Sequence, residues 1–201
     1  MHKKSFIVAL TLVALTATAG AQEIVPSYGQ QPRREVSLSF LPMGLGRFTA
    51  SPGGMTSTDD AAFSYGLALY AGYAVMPGLT VGFAPQVLLN VKPKVQDGGG
   101  AQEIDLLARV AYSRQVVESI ALFVEALPGY SVIRPPTVGD TSKGLVLGFG
   151  GGTTMALSRG TFASFSVGYQ VGFQKLPPKD LAPEGPSTRY VRVAIGVGTR
   201  F

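Results

Sequence analysis

The chain has 201 residues and a formal net charge of +5, and its length suits a single domain. Lys3 and Lys4 supply part of that charge, and the remaining basic excess is too small to indicate a nucleic-acid partner. The sequence contains no cysteine, which excludes a disulfide framework and a thiolate metal site.

Residues 1–21 have the three parts of a cleavable secretory signal peptide. A basic start precedes an apolar run from Phe6 to Leu15, and small residues follow up to Ala21. The run is too short for a spanning helix, so we expect cleavage after Ala21 in preference to an uncleaved anchor. Residues 22–34 then form a loose lead-in, and residues 35–201 form the folded domain.

The next strong signal is at the other end of the chain, where residues 190–201 alternate between two chemical faces. Such a period of two is typical of a β-strand. One face is mostly apolar and ends on an aromatic residue: Val191, Val193, Ile195, Val197, Thr199 and Phe201. The other face is small, polar or basic: Tyr190, Arg192, Ala194, Gly196, Gly198 and Arg200.

The same alternation predicts seven more strands, which makes the chain all-β. Six of them are clear, at residues 63–75, 80–91, 103–112, 120–127, 145–156 and 163–174. The first strand, at 35–48, is the least clean because Pro42 cannot donate a ladder hydrogen bond. We expect a bulge or a local break there, and the register of this strand stays open.

The predicted connections alternate in length. Short turns fall near residues 77, 117 and 159, and long loops rich in proline, glycine or charge span 49–60, 92–102, 134–143 and 176–188. This layout predicts an eight-stranded antiparallel up-and-down transmembrane β-barrel. The alternative is a soluble barrel such as a lipocalin, whose apolar face would point inward.

The chemistry of the two faces favours the membrane barrel. One face lacks charge through its middle, whereas the other mixes small residues with charged ones. A lysine or arginine that faces lipid at mid-membrane costs about 2–4 kcal/mol, so the charged face should point inward. We therefore expect a polar interior with Glu103, Asp105, Arg109, Glu125 and Arg192 in an ionic network.

Within that network, a turn centred near residue 117 would place Arg109 directly across from Glu125. Asp105 would lie two residues further along, and Arg192 would lie at a similar height. Two interpretations remain open. The network either fills the barrel interior or forms a gate whose rearrangement admits ions.

The chain resembles the small OmpA/OmpX-like outer-membrane barrels of Gram-negative bacteria. The resemblance is carried by the strand layout, the signal peptide and a C-terminal assembly signal made of Val193, Ile195, Val197 and Phe201. It implies an outer-membrane location with both termini in the periplasm and the long loops outside the cell. It also implies a monomer that contacts outer-membrane lipids, lipopolysaccharide and the barrel-assembly machinery.

We predict no catalytic residue, no metal and no cofactor. The only histidine is His2, inside the predicted signal peptide, which removes the usual general base from the mature chain. Asp59 and Asp60 are interpreted as a solvated loop tip in preference to a weak cation site. The function is then a structural or envelope-interaction role, or alternatively a narrow, gated, porin-like channel for ions or small solutes.

Overall fold

The computed structural model describes residues 34–50, 57–94, 97–135, 141–175 and 187–201. The predicted signal peptide and most of the lead-in lie outside these residues, so their prediction stands untested. Within the described ranges, no helix is long and apolar enough to cross a membrane.

Eleven strands account for most of the described chain. Their bounds are β1 Arg34–Met43, β2 Gly46–Ala50, β3 Ser57–Asp60, β4 Ser64–Met76, β5 Leu79–Phe83, β6 Gln86–Val91, β7 Ala101–Val117, β8 Ile120–Arg134, β9 Ser142–Ser158, β10 Thr161–Lys175 and β11 Thr188–Arg200.

The strands form a closed antiparallel ring with eight positions. The order is β1, β4, the pair β5 and β6, β7, β8, β9, β10 and β11, and the last strand returns to β1. Closure runs from Glu35 opposite Arg200 to Phe40 opposite Ile195, and the Arg34 amide donates to the Phe201 carbonyl at 2.9 Å. The predicted eight-stranded fold is confirmed.

β5 and β6 are two parts of one strand, and Pro85 separates them. Both parts pair with β4 on one side and with β7 on the other. The register does not change across the gap, because Phe83 faces Ala71 and Gln86 faces Ala68. Proline has no amide hydrogen to donate. Its carbonyl still accepts from the Leu69 amide at 3.0 Å, so the interruption is local.

The expected irregularity near Pro42 affects only one side of β1. Pairing with β4 continues through Pro42, which faces Tyr65. Pairing with β11 stops after Phe40 and resumes where Gly46 faces Tyr190, with one more residue on the β1 side than on the β11 side. The chain then forms a β2–β3 hairpin beyond the ring. Part of the segment predicted as the first long loop is therefore strand.

Three two-residue turns join strands at one end of the barrel, at Pro77–Gly78, 118–119 and 159–160. They confirm the predicted short turns. Gly78 and Gly160 have φ angles of 80° and 76°, a conformation that glycine adopts without steric cost. We call this the turn end. The opposite end, where the long connections lie, is the loop end.

The outer face of the barrel wall is apolar, whereas the outer face of a water-soluble barrel is polar. Large apolar side chains are exposed on the outside of most strands, among them Leu69, Val124, Phe149, Val167 and Ile195. The buried interior is mixed. It holds polar and charged side chains, among them Glu103 and Asp105 with no exposed surface, and apolar ones such as Leu41, Leu88 and Leu107. An apolar outer face around an interior that holds buried charges is the arrangement of a barrel that lies in lipid.

Candidate functional site: the charged barrel interior

Five charged side chains form a chain of ion pairs across the interior, which we call the ion chain. It runs Arg192, Glu125, Arg109, Glu35 and Arg200. The first two contacts are Arg192 Nη1 to Glu125 Oε1 at 3.0 Å and Arg109 Nε to Glu125 Oε2 at 2.6 Å. Glu35 accepts from Arg200 Nε at 2.9 Å and lies 3.7 Å from Arg109 Nη1. Strands β11, β8, β7 and β1 are thereby tied together.

The predicted register of β7 and β8 was wrong by two residues. Glu125 lies directly opposite Ala111, not Arg109, because the turn is centred at residues 118–119 and not near 117. The pairing shift between Gln115 and Val117 recovers one residue of the resulting offset. Arg109 still reaches Glu125 as a diagonal neighbour, a separation that long side chains span easily. The ion pair itself is therefore present despite the register error.

Two aromatic rings hold the Arg109 guanidinium. Its Cζ lies 4.4 Å from the ring centroid of Tyr70 and 5.2 Å from that of Phe123. Tyr70 has room there because Gly72 and Gly82 carry no side chain, and a Cβ on either would overlap the Tyr70 ring or hydroxyl. The cation–π contacts add to the ion pairs and fix the orientation of the guanidinium.

Glu125 and Arg192 meet above two glycines of the intervening strands, which we call the glycine floor. They lie on β8 and β11, and the interior positions between them are Gly150 on β9 and Gly168 on β10. A Cβ on Gly168 would lie 2.4 Å from the Phe149 carbonyl oxygen, so the backbones also approach closely here. Because glycine has no side chain, Glu125 and Arg192 can reach each other across β9 and β10.

Glu103 and Asp105 do not join the ion chain. They form a second group nearer the loop end, the acid–amide cluster, with Gln86, Gln170, Gln174, Ser131 and Tyr190. Asp105 Oδ2 accepts from Gln86 Nε2 at 2.7 Å and from Gln170 Nε2 at 2.8 Å. The cluster links β6 and β7 to β10 on the opposite wall.

Glu103 is the second acid of this cluster. Its Oε1 accepts from Ser131 Oγ at 3.0 Å and from Gln174 Nε2 at 3.2 Å, and its Oε2 accepts from Tyr190 Oη at 3.4 Å. Neutral amides and hydroxyls, rather than the arginines, thus solvate both acids. Hydrogen-bond donors of this kind offset the cost of burying a carboxylate.

Sequence reasoning missed several residues of the interior. Glu35 and Arg200 meet only through the closure of β1 on β11, which no hairpin pattern specifies. Alternation predicted that Gln86, Gln170 and Gln174 point inward. The acids that they contact lie on β7, which for Gln170 and Gln174 is far away in the sequence. The register of the whole ring was needed to find these contacts.

Two cavities are lined by interior residues of the barrel. A vestibule of about 540 Å³ opens at the turn end and is lined by Arg34, Arg114, Glu118 and Arg200, among others. A small chamber of about 40 Å³ lies deeper, against Ser37, Ser39, Ser164 and Ser166 and beside Arg109 and Arg192. Glu35 lines both cavities, so its ion pairs form part of the wall between them.

The residues predicted as the assembly signal lie on the outer face, from mid-barrel to the turn end. Val193, Ile195 and Val197 point outward along β11, and the Phe201 side chain is exposed beyond its last residue.

Among the described residues, no group of three His, Cys, Asp or Glu side chains could hold a metal ion. Asp60 lies at the end of β3, opposite Arg47.

A closed ring of eight strands with this polarity is the fold of the small outer-membrane β-barrels. Neisserial surface protein A is similar to the chain with a TM-score of 0.61 and 15% identity, over 84% of this chain and 97% of that one. OprG from Pseudomonas aeruginosa is similar with a TM-score of 0.58 and 14% identity, over 86% and 98% of the two chains. No family model and no curated protein matches the sequence. The resemblance seen in the sequence is confirmed at the level of the fold.

Proposed function

We propose that the protein is an integral outer-membrane barrel with a structural or envelope-interaction role. The observation that carries the proposal is the closed ring whose exposed side is apolar and whose buried side holds charged side chains. In this proposal the turn end and both chain termini face the periplasm. The long loops and the β2–β3 hairpin face outward, where they contact lipopolysaccharide.

The interior suits such a role because it braces the wall from inside. The ion chain joins four strands, and the acid–amide cluster joins opposite walls. Removing one partner of a buried ion pair leaves the other charge uncompensated, which costs about 3–5 kcal/mol. A narrow barrel that is filled in this way resists deformation in the membrane.

We further propose that residues 1–21 direct export and are removed, that 22–34 form a periplasmic lead-in, and that the Phe201 signal engages the barrel-assembly machinery. Mature protein that begins at Gln22 would support the cleavage site, and a retained Met1 would contradict it. We expect a monomer, which light scattering of the refolded protein would test.

The direct test of the location is gel migration of the outer-membrane fraction before and after heating. A folded barrel migrates as a compact band that shifts on heating. Absence of the protein from that fraction, or a single position under both conditions, would contradict the proposal.

A narrow, gated channel is the second candidate. The vestibule and the chamber favour it, because Glu35 lines both of them. Eight strands leave an interior only wide enough for side chains, so the unit conductance would be small. Purified protein in planar bilayers tests this candidate, and current no larger than background would exclude it.

We propose no enzymatic activity, on the ground that the mature chain would contain no histidine. Hydrolysis of, or acyl transfer on, outer-membrane lipids by refolded protein would overturn that prediction.

A further inference from the structure

Two arginines face each other on the outer wall at the loop end. Arg47 of β2 lies directly opposite Arg189 of β11 in the antiparallel ladder. Arg189 shares the outward face of β11 with Val191, and Arg47 is exposed. Like charges directly opposite each other destabilise a strand pair. Asp60 faces Arg47 in the β2–β3 ladder, so an anion from outside the chain would complete a charge balance that is only partly met.

The described part of the chain does not supply that anion to either guanidinium. No carboxylate of the described residues lies within ion-pair distance of Arg47 or Arg189, and Lys94 adds a third positive charge nearby. Asp60 is the one acid among the described residues that line the same cavity. The local balance is thus three basic groups to one acidic group.

These groups surround a cavity of about 440 Å³, which we call the basic pocket. Its remaining walls include Leu45, Tyr169 and Val191, so the pocket joins a basic end to an apolar end. Tyr169 and Val191 face each other in the β10–β11 ladder on the outward, lipid-facing side. The apolar end of the pocket therefore continues into the surface that contacts acyl chains.

The irregularity in the first strand creates this pocket. The β1 side carries one more residue than β11 between Phe40 and Gly46, and Gly44 and Gly46 line the pocket. A Cβ on Gly46 would lie 2.5 Å from the Arg189 carbonyl oxygen, so the site accepts no larger residue there. Glycine at position 46 thus lets the backbone approach Arg189 closely beside the pocket.

We propose that the basic pocket binds the phosphate group of an anionic, phosphorylated lipid of the outer leaflet. Arg47 and Arg189 donate paired hydrogen bonds to the phosphate oxygens, which guanidinium geometry favours. Lys94 adds charge, and the acyl chains lie against Tyr169 and Val191. The inference rests on the outer-membrane location proposed above and names the lipid chemistry that the envelope role would recognise.

The test uses the refolded mature protein in phosphatidylcholine nanodiscs. Four conditions are compared: phosphatidylcholine alone, added bisphosphorylated lipid A, lipid A with its phosphates removed, and inorganic phosphate. Wild type is compared with Arg47→Gln/Arg189→Gln. The control Arg134→Gln/Lys143→Gln removes the same charge from outward-facing positions on β8 and β9. Retained lipid is measured by native mass spectrometry, and stability is measured by the urea midpoint of unfolding.

We expect the Arg47/Arg189 variant to bind bisphosphorylated lipid A at least about tenfold more weakly than wild type and the control, since it loses charge-assisted hydrogen bonds. Bound lipid should raise the urea midpoint of wild type and control but not of this variant. In phosphatidylcholine alone the urea midpoint of the variant should equal or exceed that of wild type, because the arginine repulsion is gone.

Three results would overturn the proposal. They are equal lipid A binding by wild type and the Arg47/Arg189 variant, an equal effect of inorganic phosphate, and a wild type that is already more stable than the variant in phosphatidylcholine alone. All four conditions use protein that shows the heat-modifiable band. A failure here would therefore leave the barrel itself intact, and would be distinct from failure of the proposed location.

Discussion

Arg109 makes more contacts with other interior groups than any other residue of the ion chain. It bridges Glu125 and Glu35 and is held between Tyr70 and Phe123. Alternation along β7 was enough to predict that its side chain points inward. The two aromatic partners were also identifiable as inward-facing, but contact with them depends on Gly72 and Gly82 and on the ring register. Those are long-range properties that no local pattern encodes.

The first prediction concerns the stability that Arg109 provides. Arg109→Ala leaves Glu125 and Glu35 with one arginine each, and we expect the free energy of unfolding in detergent to fall by about 1–3 kcal/mol. Arg114→Ala is the control, since Arg114 is exposed and belongs to no ion pair among the described residues. Equal midpoints for Arg109→Ala and Arg114→Ala would show that the ion chain does not brace the barrel.

The second prediction separates the two candidate functions. If the interior is a gate, Arg109→Ala removes a side chain that lines the chamber, and single-channel current in planar bilayers should rise. Arg109→Lys keeps the charge and should stay close to wild type. Unchanged background current in both variants favours the structural role and counts against the channel.

The third prediction concerns the acid–amide cluster. Gln170→Leu removes one of the two amide donors to Asp105 Oδ2, and we expect a loss of about 1–3 kcal/mol in unfolding free energy. Gln115→Leu is a matched control on an exposed side chain near the turn end. A loss of the same size in both variants would mean that the buried amide contributes nothing particular.

At the scale of the strands, alternation and turn chemistry predicted the positions of all eight ring strands and of the three short turns. Both are local properties, readable within one strand or one hairpin. The gap at Pro85 was missed because a proline that keeps the register barely disturbs the alternation. The β2–β3 hairpin was missed because its short strands carry too few residues to show a period.

The fourth prediction tests the glycine floor between β8 and β11. Gly168→Leu places a side chain where Glu125 and Arg192 meet and where the Phe149 carbonyl is already close. We expect a loss of about 1–3 kcal/mol from overpacking, measured by urea unfolding. Val167→Leu on the outward face of the same strand should be nearly neutral. If Gly168→Leu is as stable as Val167→Leu, the floor is not tightly packed.

At the scale of the whole molecule, the charges are arranged by height. The ion chain runs from mid-barrel to the turn end, whereas the acid–amide cluster and the basic pocket lie toward the loop end. Composition and alternation predicted the polarity of the wall. The division of the interior into two groups followed from the ring register, and therefore required the structure.

The most direct test of the central claim is to ask what surrounds the outer face of the barrel. The chain contains no tryptophan, so a single Val167→Trp or Leu69→Trp substitution gives a clean fluorescent probe of that face. Asp97→Trp, at an exposed position of the loop end, is the control. We predict that brominated acyl chains quench the probes at 167 and 69 and that aqueous acrylamide quenches the probe at 97. Strong acrylamide quenching at 167 and 69, with none by brominated lipid, would contradict a membrane-embedded barrel.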